Sequence, residues 1–215
     1  MNRTQILIKQ SNSTISGQSY FSIDGNVALT GQVWSTSDWS DDFKVKFDVI
    51  VNKDLTGTYK SLLHVTTGGN GGEGSRIPAV FVDPNKRFHI TSHVNGNTNY
   101  YQDYNYELNK EYHFEISQLK NANGEAIYRI KVNGVTFHEI VNTTPLKFKD
   151  VKLYLSDPWY ETFAPFGKLS NLKIGCHIAD STTTSKYIII NYLYLHYKDP
   201  PKGQEWALRI HLLIG

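Results

Sequence analysis

Between Phe43 and Val51 every odd position is apolar: Phe43, Val45, Phe47, Val49 and Val51 alternate with Lys44, Lys46, Asp48 and Ile50. A period of two puts these five side chains on one face of a strand. A helix would scatter them around its axis. The opposite face is mostly charged, so the sheet has a core on one side and water on the other.

The same period recurs along the chain. Leu63 and Val65, then Phe88, Ile90 and Val94, then Phe114 and Ile116, then Val151, Leu153 and Leu155 each line one face of a short segment. Asn133-Gly134 separates Ala126–Val132 from Val135–Val141, and Asn-Gly is the strongest two-residue hairpin signal because both positions need a positive φ. That register predicts Val132 opposite Val135 and Ile130 opposite Phe137. A short strand at Ser19–Ile23 should end in a turn at Asp24-Gly25. No stretch before residue 175 carries a helical period over 11 or more residues. The expected fold is therefore all-β, an antiparallel sandwich of two sheets. Phe43 to Val51, Leu63, Val65, Phe88, Ile90, Phe114, Ile116, Ile130, Val132, Phe137, Leu153 and Leu155 should share its interior.

Composition excludes several classes. The net charge of +2 is too small, and the basic residues too scattered, for a nucleic-acid partner. Cys176 is the single cysteine, so no disulfide forms within the chain. Nowhere do about 18 apolar residues run together, so no membrane span is expected. Met1–Gln10 lacks the shape of a signal peptide. Residues 1–14 read as an extension, 15–174 as the sandwich, and 175–215 as an atypical tail. In that tail Tyr187–Tyr197 is apolar on both faces and Asp199-Pro-Pro-Lys-Gly203 breaks the chain.

The order of these features resembles the concanavalin A-like jelly roll, and within it the laminin G-like type of module. The residues that carry the resemblance are the Phe43–Val51 alternation, the strand-loop-strand of Leu62 to Val82, Arg87–Val94 and Glu111–Gln118. The Asn133-Gly134 hairpin, Val151–Trp159 and the closing Gly167-Lys-Leu-Ser-Asn-Leu-Lys-Ile174 complete it. The resemblance implies a closing edge strand paired near the N-terminus. It also implies a secreted or cell-surface setting and a glycan or extracellular protein as partner.

Two stretches are candidates for the site. Gly68–Arg76 holds five glycines in nine residues. It is not a phosphate loop, since no Gly-Lys-Ser/Thr and no helix follows. It is either a ligand loop, with Asn70, Glu73 and Arg76 as its polar groups, or a plain connection. Asn95, Asn97, Asn99, Tyr100, Tyr101 and Asp103 form a second stretch, read as a loop, whose amides and phenols suit sugar hydroxyls and C–H surfaces. Trp159, after Pro158, should sit at a rim. With these loops at one end of the sandwich, Arg76, Asn97, Tyr100 and Tyr101 should flank a shallow cleft.

Catalysis and metals find less support. No Glu-x-Asp-x-x-Glu strand and no Gly-x-Ser-x-Gly occurs, so the chain is expected not to be an enzyme. No cofactor is expected either. For calcium there are Asp38, Asp41, Asp42, Glu73, Asp103 and Asp157, but no tight Asp-x-Asp-x-Asp loop. His89 and His93, about 13 Å apart along a strand, are too far apart to chelate one ion and should face solvent. Sequons stand at Asn2, Asn12 and Asn142. The leading reading is a non-enzymatic recognition module. A glycoside hydrolase or lyase of the same fold and a structural matrix domain stand as alternatives.

Overall fold

The computed structural model describes residues 20–176. The expectations for residues 1–14, and for the tail after Cys176, lie outside them. The described residues form thirteen strands and no helix. These are β1 (Tyr20–Val27), β2 (Gly31–Trp39), β3 (Phe43–Val51), β4 (Lys60–Thr66), β5 (Ala79–Asp83), β6 (Arg87–Val94) and β7 (Asn97–Asn105). They continue with β8 (Glu111–Lys120), β9 (Ala126–Val132), β10 (Val135–Asn142), β11 (Phe148–Leu155), β12 (Glu161–Thr162) and β13 (Gly167–Gly175).

One sheet has six strands in the order β1-β13-β3-β8-β9-β10. The other has seven, in the order β2-β11-β4-β5-β6-β7 with β12 beside β4. All pairings are antiparallel except β12 with β4. The chain passes from one sheet to the other at β1–β2, β2–β3, β3–β4, β7–β8, β10–β11 and β12–β13. This is a two-sheet antiparallel sandwich of the jelly-roll kind.

The alternation of β3 does what its period requires. Phe43, Val45, Phe47, Val49 and Val51 all lie in the core between the sheets. Phe47 stacks on Phe114 with centroids 5.2 Å apart, and Phe88 from the facing sheet meets Phe114 edge-on at 5.0 Å. Each such ring, once buried, contributes roughly 1.5–3 kcal/mol by leaving water. Every residue expected in the interior is there except Phe137.

Phe137 is 40% exposed because β10 bulges between Thr136 and His138, so Ile130 faces His138 instead. The turn itself is as expected, with φ of 51° at Asn133 and 80° at Gly134. At Asp24-Gly25 the chain does not turn; β1 bulges between Ile23 and Asn26 and runs on to Val27. β2 was not expected as a strand. The stretch read as a loop from Asn95 is the Asn95-Gly96 turn followed by the edge strand β7.

β13 pairs with β1 near the N-terminus, as the resemblance implied, but it is not an edge, since β3 flanks its other side. Gly167 opens it because nothing larger fits: a Cβ there would lie 2.0 Å from the Ile50 carbonyl oxygen and 2.5 Å from Phe163 Cζ. The Asn142 sequon is corrected too. Its side chain is buried, donates to Gln118 Oε1 at 2.6 Å and accepts from the Asn95 amide at 2.9 Å, so the fold leaves it no room for a glycan.

Candidate functional site

Phe81 sits at the centre of β5, and its neighbours Val80 and Val82 both point into the core. Alternation therefore sends the Phe81 ring to the outer face of the seven-stranded sheet. It is nonetheless only 2% exposed, because a second layer covers it. Tyr160 lies 4.8 Å from it, His64 5.7 Å, Tyr59 6.3 Å and the Arg76 guanidinium 5.6 Å. This apolar floor underlies a pocket of about 350 Å³.

β6 and β7 build one wall. Arg87 and His89 project from β6 on the face opposite to Phe88 and Ile90. Asp103, from β7, pairs across the strands with His89. Its Oδ1 meets His89 Nδ1 at 2.7 Å, and its Oδ2 accepts from Arg87 Nη1 at 2.9 Å. Arg87 also donates from Nε to Asp83 Oδ2 at 2.8 Å. Hydrogen bonding to Asp83 holds the guanidinium above its usual pKa, against the cost of burial, with Asp103 assisting. The Tyr101 ring covers His89 at 4.7 Å and the Tyr59 ring lies 5.3 Å from it. Burial, with the Asp83 and Asp103 charges next, raises the Tyr59 pKa and keeps the phenol neutral. The His89 side chain is 12% exposed and lines the pocket.

Arg76 builds the other wall. It donates to Asn99 Oδ1, to Asn70 Oδ1 at 3.2 Å and to the Tyr160 hydroxyl at 3.4 Å.

A buried polar cluster fixes this layer from below. His64 Nε2 lies 2.5 Å from the Ser75 carbonyl oxygen, which only accepts, so Nε2 carries a proton. Its Nδ1 is 2.8 Å from Asp157 Oδ2, which also accepts from Ser61 Oγ at 2.9 Å. Asp157 Oδ1 takes the amides of Trp159 and Tyr160 at 3.0 and 2.9 Å. Burial pushes the Asp157 carboxyl up, but the bonds from His64, Ser61 and Trp159 outweigh it and hold the pKa below the usual value. The cluster thus anchors buried Ser75, whose neighbour Arg76 lines the pocket, and places Tyr160 there.

The structure brings Asn70, Arg76, Asn99, Tyr101 and Asp103 together here, on the face of the sheet rather than at one end of the sandwich. Tyr100 points the other way, packs against the core and bonds His138 Nε2 at 2.9 Å. Asn95 caps the β10–β11 connection by accepting from Thr143. Asn97 caps the Asn99 amide. Glu73 is exposed and Trp159 rests on His64 at 5.4 Å, neither lining the pocket. Sequence reasoning missed Tyr59, Phe81 and Arg87; it singles out Tyr160 only as the neighbour of Trp159 in an aromatic pair. His89 was expected to face solvent and instead faces the pocket. No group of three or more His, Cys, Asp or Glu placed to hold a metal ion occurs among the described residues.

A second cavity, of about 220 Å³, lies between Trp39, Phe148 and Cys176. Burial pushes the Cys176 thiol up to about 11, and its sulfur accepts from the Ser40 amide at 3.0 Å. It is no nucleophile at neutral pH.

No family model matches the sequence, and no curated protein does. Solved structures match at low identity. Trypanosoma rangeli sialidase is 15% identical with a TM-score of 0.47, over 72% of this chain and 24% of the sialidase. An endo-beta-1,4-glucuronan lyase from Trichoderma reesei is 11% identical, TM-score 0.43, over 76% of this chain and 77% of the lyase. A galectin of Caenorhabditis elegans is 13% identical, TM-score 0.39, over 72% and 94%. The chain spans about a quarter of the sialidase it matches. The expectation that this chain is not an enzyme is corrected: a sialidase and a glucuronan lyase stand among the matches, and the missing Glu-x-Asp-x-x-Glu strand speaks against one hydrolase design only.

Proposed function

We propose that the chain recognises a carbohydrate on the outer face of the seven-stranded sheet. The observation that carries this reading is the make-up of one pocket. Tyr59, Tyr101 and Tyr160 offer aromatic surface to the C–H face of a sugar ring. Asn99, Arg76 and His89 offer planar polar groups to its hydroxyls. In this reading the sandwich is a module of the laminin G-like type, at the cell surface or outside the cell, and works without a cofactor. The pairing of β13 with β1 supports that type.

The test is a glycan array on the full chain, followed by calorimetric titration of the saccharides retained. Dissociation constants should fall at about micromolar to millimolar, as befits an open site. Tyr101 is 52% exposed, so Tyr101→Ala should weaken binding about tenfold and leave the melting temperature unchanged. An array on which no saccharide is retained overturns the reading.

A specific observation favours a second reading, in which the bound sugar is also cleaved. His89 lines the pocket and is oriented by Asp103 through Nδ1, as an oriented proton-transfer group requires. Among the described residues Asp103 is the one carboxylate lining the pocket, and it is already bonded to Arg87 and His89. With one carboxylate in place of a pair, cleavage here would be an elimination on a uronate: His89 takes the C5 proton, the C4–O bond breaks, the leaving oxygen takes a proton from solvent, and a C4=C5 double bond remains. Polysaccharides retained on the array, incubated with the chain, should then give an unsaturated product that absorbs in the ultraviolet. Retained polysaccharides left intact would remove this second reading and leave binding.

A further inference from the structure

The charges around the pocket are unevenly matched. Both nearby carboxylates are spent on Arg87: Asp83 at 2.8 Å from its Nε and Asp103 at 2.9 Å from its Nη1. Arg76 has none. Among the described residues its partners are Asn99, Asn70 and the Tyr160 hydroxyl, all neutral, and its guanidinium lies over the Phe81 ring at 5.6 Å. Its Nε is buried without a hydrogen-bond partner. Of the five N–H groups of a guanidinium, three are used, Nε is orphaned and one on Nη1 remains free. A cation that has shed part of its water and gained no counter-charge is costly to keep. The neutral partners fix its position, and fixed guanidinium groups recognise carboxylates and sulfates by charge-assisted hydrogen bonds.

We propose that the saccharide taken by this pocket is acidic, and that Arg76 binds its anionic substituent, a uronate carboxylate or a sulfate ester. This rests on the carbohydrate reading above and narrows it to a substrate class. The aromatic groups hold the ring, and Arg76 sets the preference for charge. Arg87 contributes less, because two carboxylates already neutralise it.

The experiment uses the full chain and three matched probes: a cello-oligosaccharide, the same backbone oxidised to the uronate, and the same backbone sulfated. At low ionic strength at least one acidic probe should bind about tenfold more tightly than the neutral one. Preference for both acids assigns the site to anions generally, and preference for one names the substituent. Arg76→Gln should abolish the preference, weakening the acidic probe about tenfold more than the neutral one. Arg76→Lys, which keeps the charge, should retain part of it. Should Arg76→Gln fail to fold, the salt dependence of the natural chain takes its place: affinity for the acidic probe should fall with added salt while that for the neutral probe holds. Equal binding of all three probes overturns the inference and leaves the carbohydrate reading standing. Array-wide absence of binding overturns both. A preference that survives intact in folded Arg76→Gln overturns the role of Arg76.

Discussion

Asp157 and His64 show how much one buried pair organises. Neither side chain is exposed, and every strong hydrogen-bonding position on the two finds a partner in the protein. Burying an ion pair yields little net stability, but removing one partner leaves a lone buried charge. Asp157→Asn should therefore cost about 3 kcal/mol, read as a lower urea midpoint. Gly167 makes a different demand, for space. A methyl group there would overlap the Ile50 carbonyl and the Phe163 ring. Gly167→Ala should cost about 3 kcal/mol or more, since backbone on one side cannot give way, and the loss should appear as a lower melting temperature. Neither residue announces itself in the sequence. An Asp-Pro-Trp stretch reads as a rim, and Gly167 reads only as the start of the closing strand. What makes them indispensable is contact with residues about a hundred positions away.

At the scale of the element, period and turn chemistry made most strands legible. β3, β6, β8, β9 and β11 carry apolar residues on one face and polar on the other. β7 escaped because it is an edge whose outward residues, Asn97, Asn99, Tyr101 and Asp103, are polar or amphipathic. Its inward side is carried by tyrosines, Tyr100 and Tyr104, rather than aliphatics. The Asn95-Gly96 turn before it has the same chemistry as Asn133-Gly134, and it marks a hairpin that the polar composition concealed. Most of the site lay hidden for the same reason. Arg87, His89 and Asp103 form a unit only when β6 and β7 are paired. The bulge in β10 gives a direct test of register. Phe47→Ala should cost about 3–5 kcal/mol, because the ring is 1% exposed and stacked on Phe114. Phe137→Ala should cost less than about 1 kcal/mol if the bulge puts that ring at the surface, as found. Denaturant midpoints of the two variants distinguish this register from the unbulged one, in which both losses would be large.

For the whole molecule, buried titrating groups set a pH window of stability. On the acid side, Asp157 and Asp41 have carboxyls held below 3.8. A depressed folded pKa gives stability that is present above the unfolded value and lost as pH falls through the folded one. The acid limb should therefore begin near pH 3.8 and be led by Asp157. His113, raised from 6.5 by its bond to Asp48, loses its contribution as pH rises, but it is half exposed and the effect is screened. On the alkaline side, burial raises Cys176 from 9.0 to about 11 and Tyr106 from 10.0 to about 12. In each case the unfolded chain loses its proton first, so stability falls as pH climbs from the unfolded value towards the folded one. Between these limbs two histidines act in opposite directions: His113 loses its contribution as pH rises, while His138, lowered from 6.5 by burial, loses its own as pH falls, so the melting temperature should change little. Tyr106 isolates the alkaline limb. Its hydroxyl is buried without a partner, so it contributes no hydrogen bond and costs its own desolvation. Its ring packs on Phe88 at 5.1 Å, a contact that phenylalanine would keep. Tyr106→Phe should raise stability at neutral pH by up to about 1 kcal/mol and lessen the loss above pH 10. Melting curves of the two proteins from pH 7 to 11 check both effects. A variant less stable than the natural chain at pH 7 would mean that the hydroxyl has a partner and that the alkaline limb belongs to other groups.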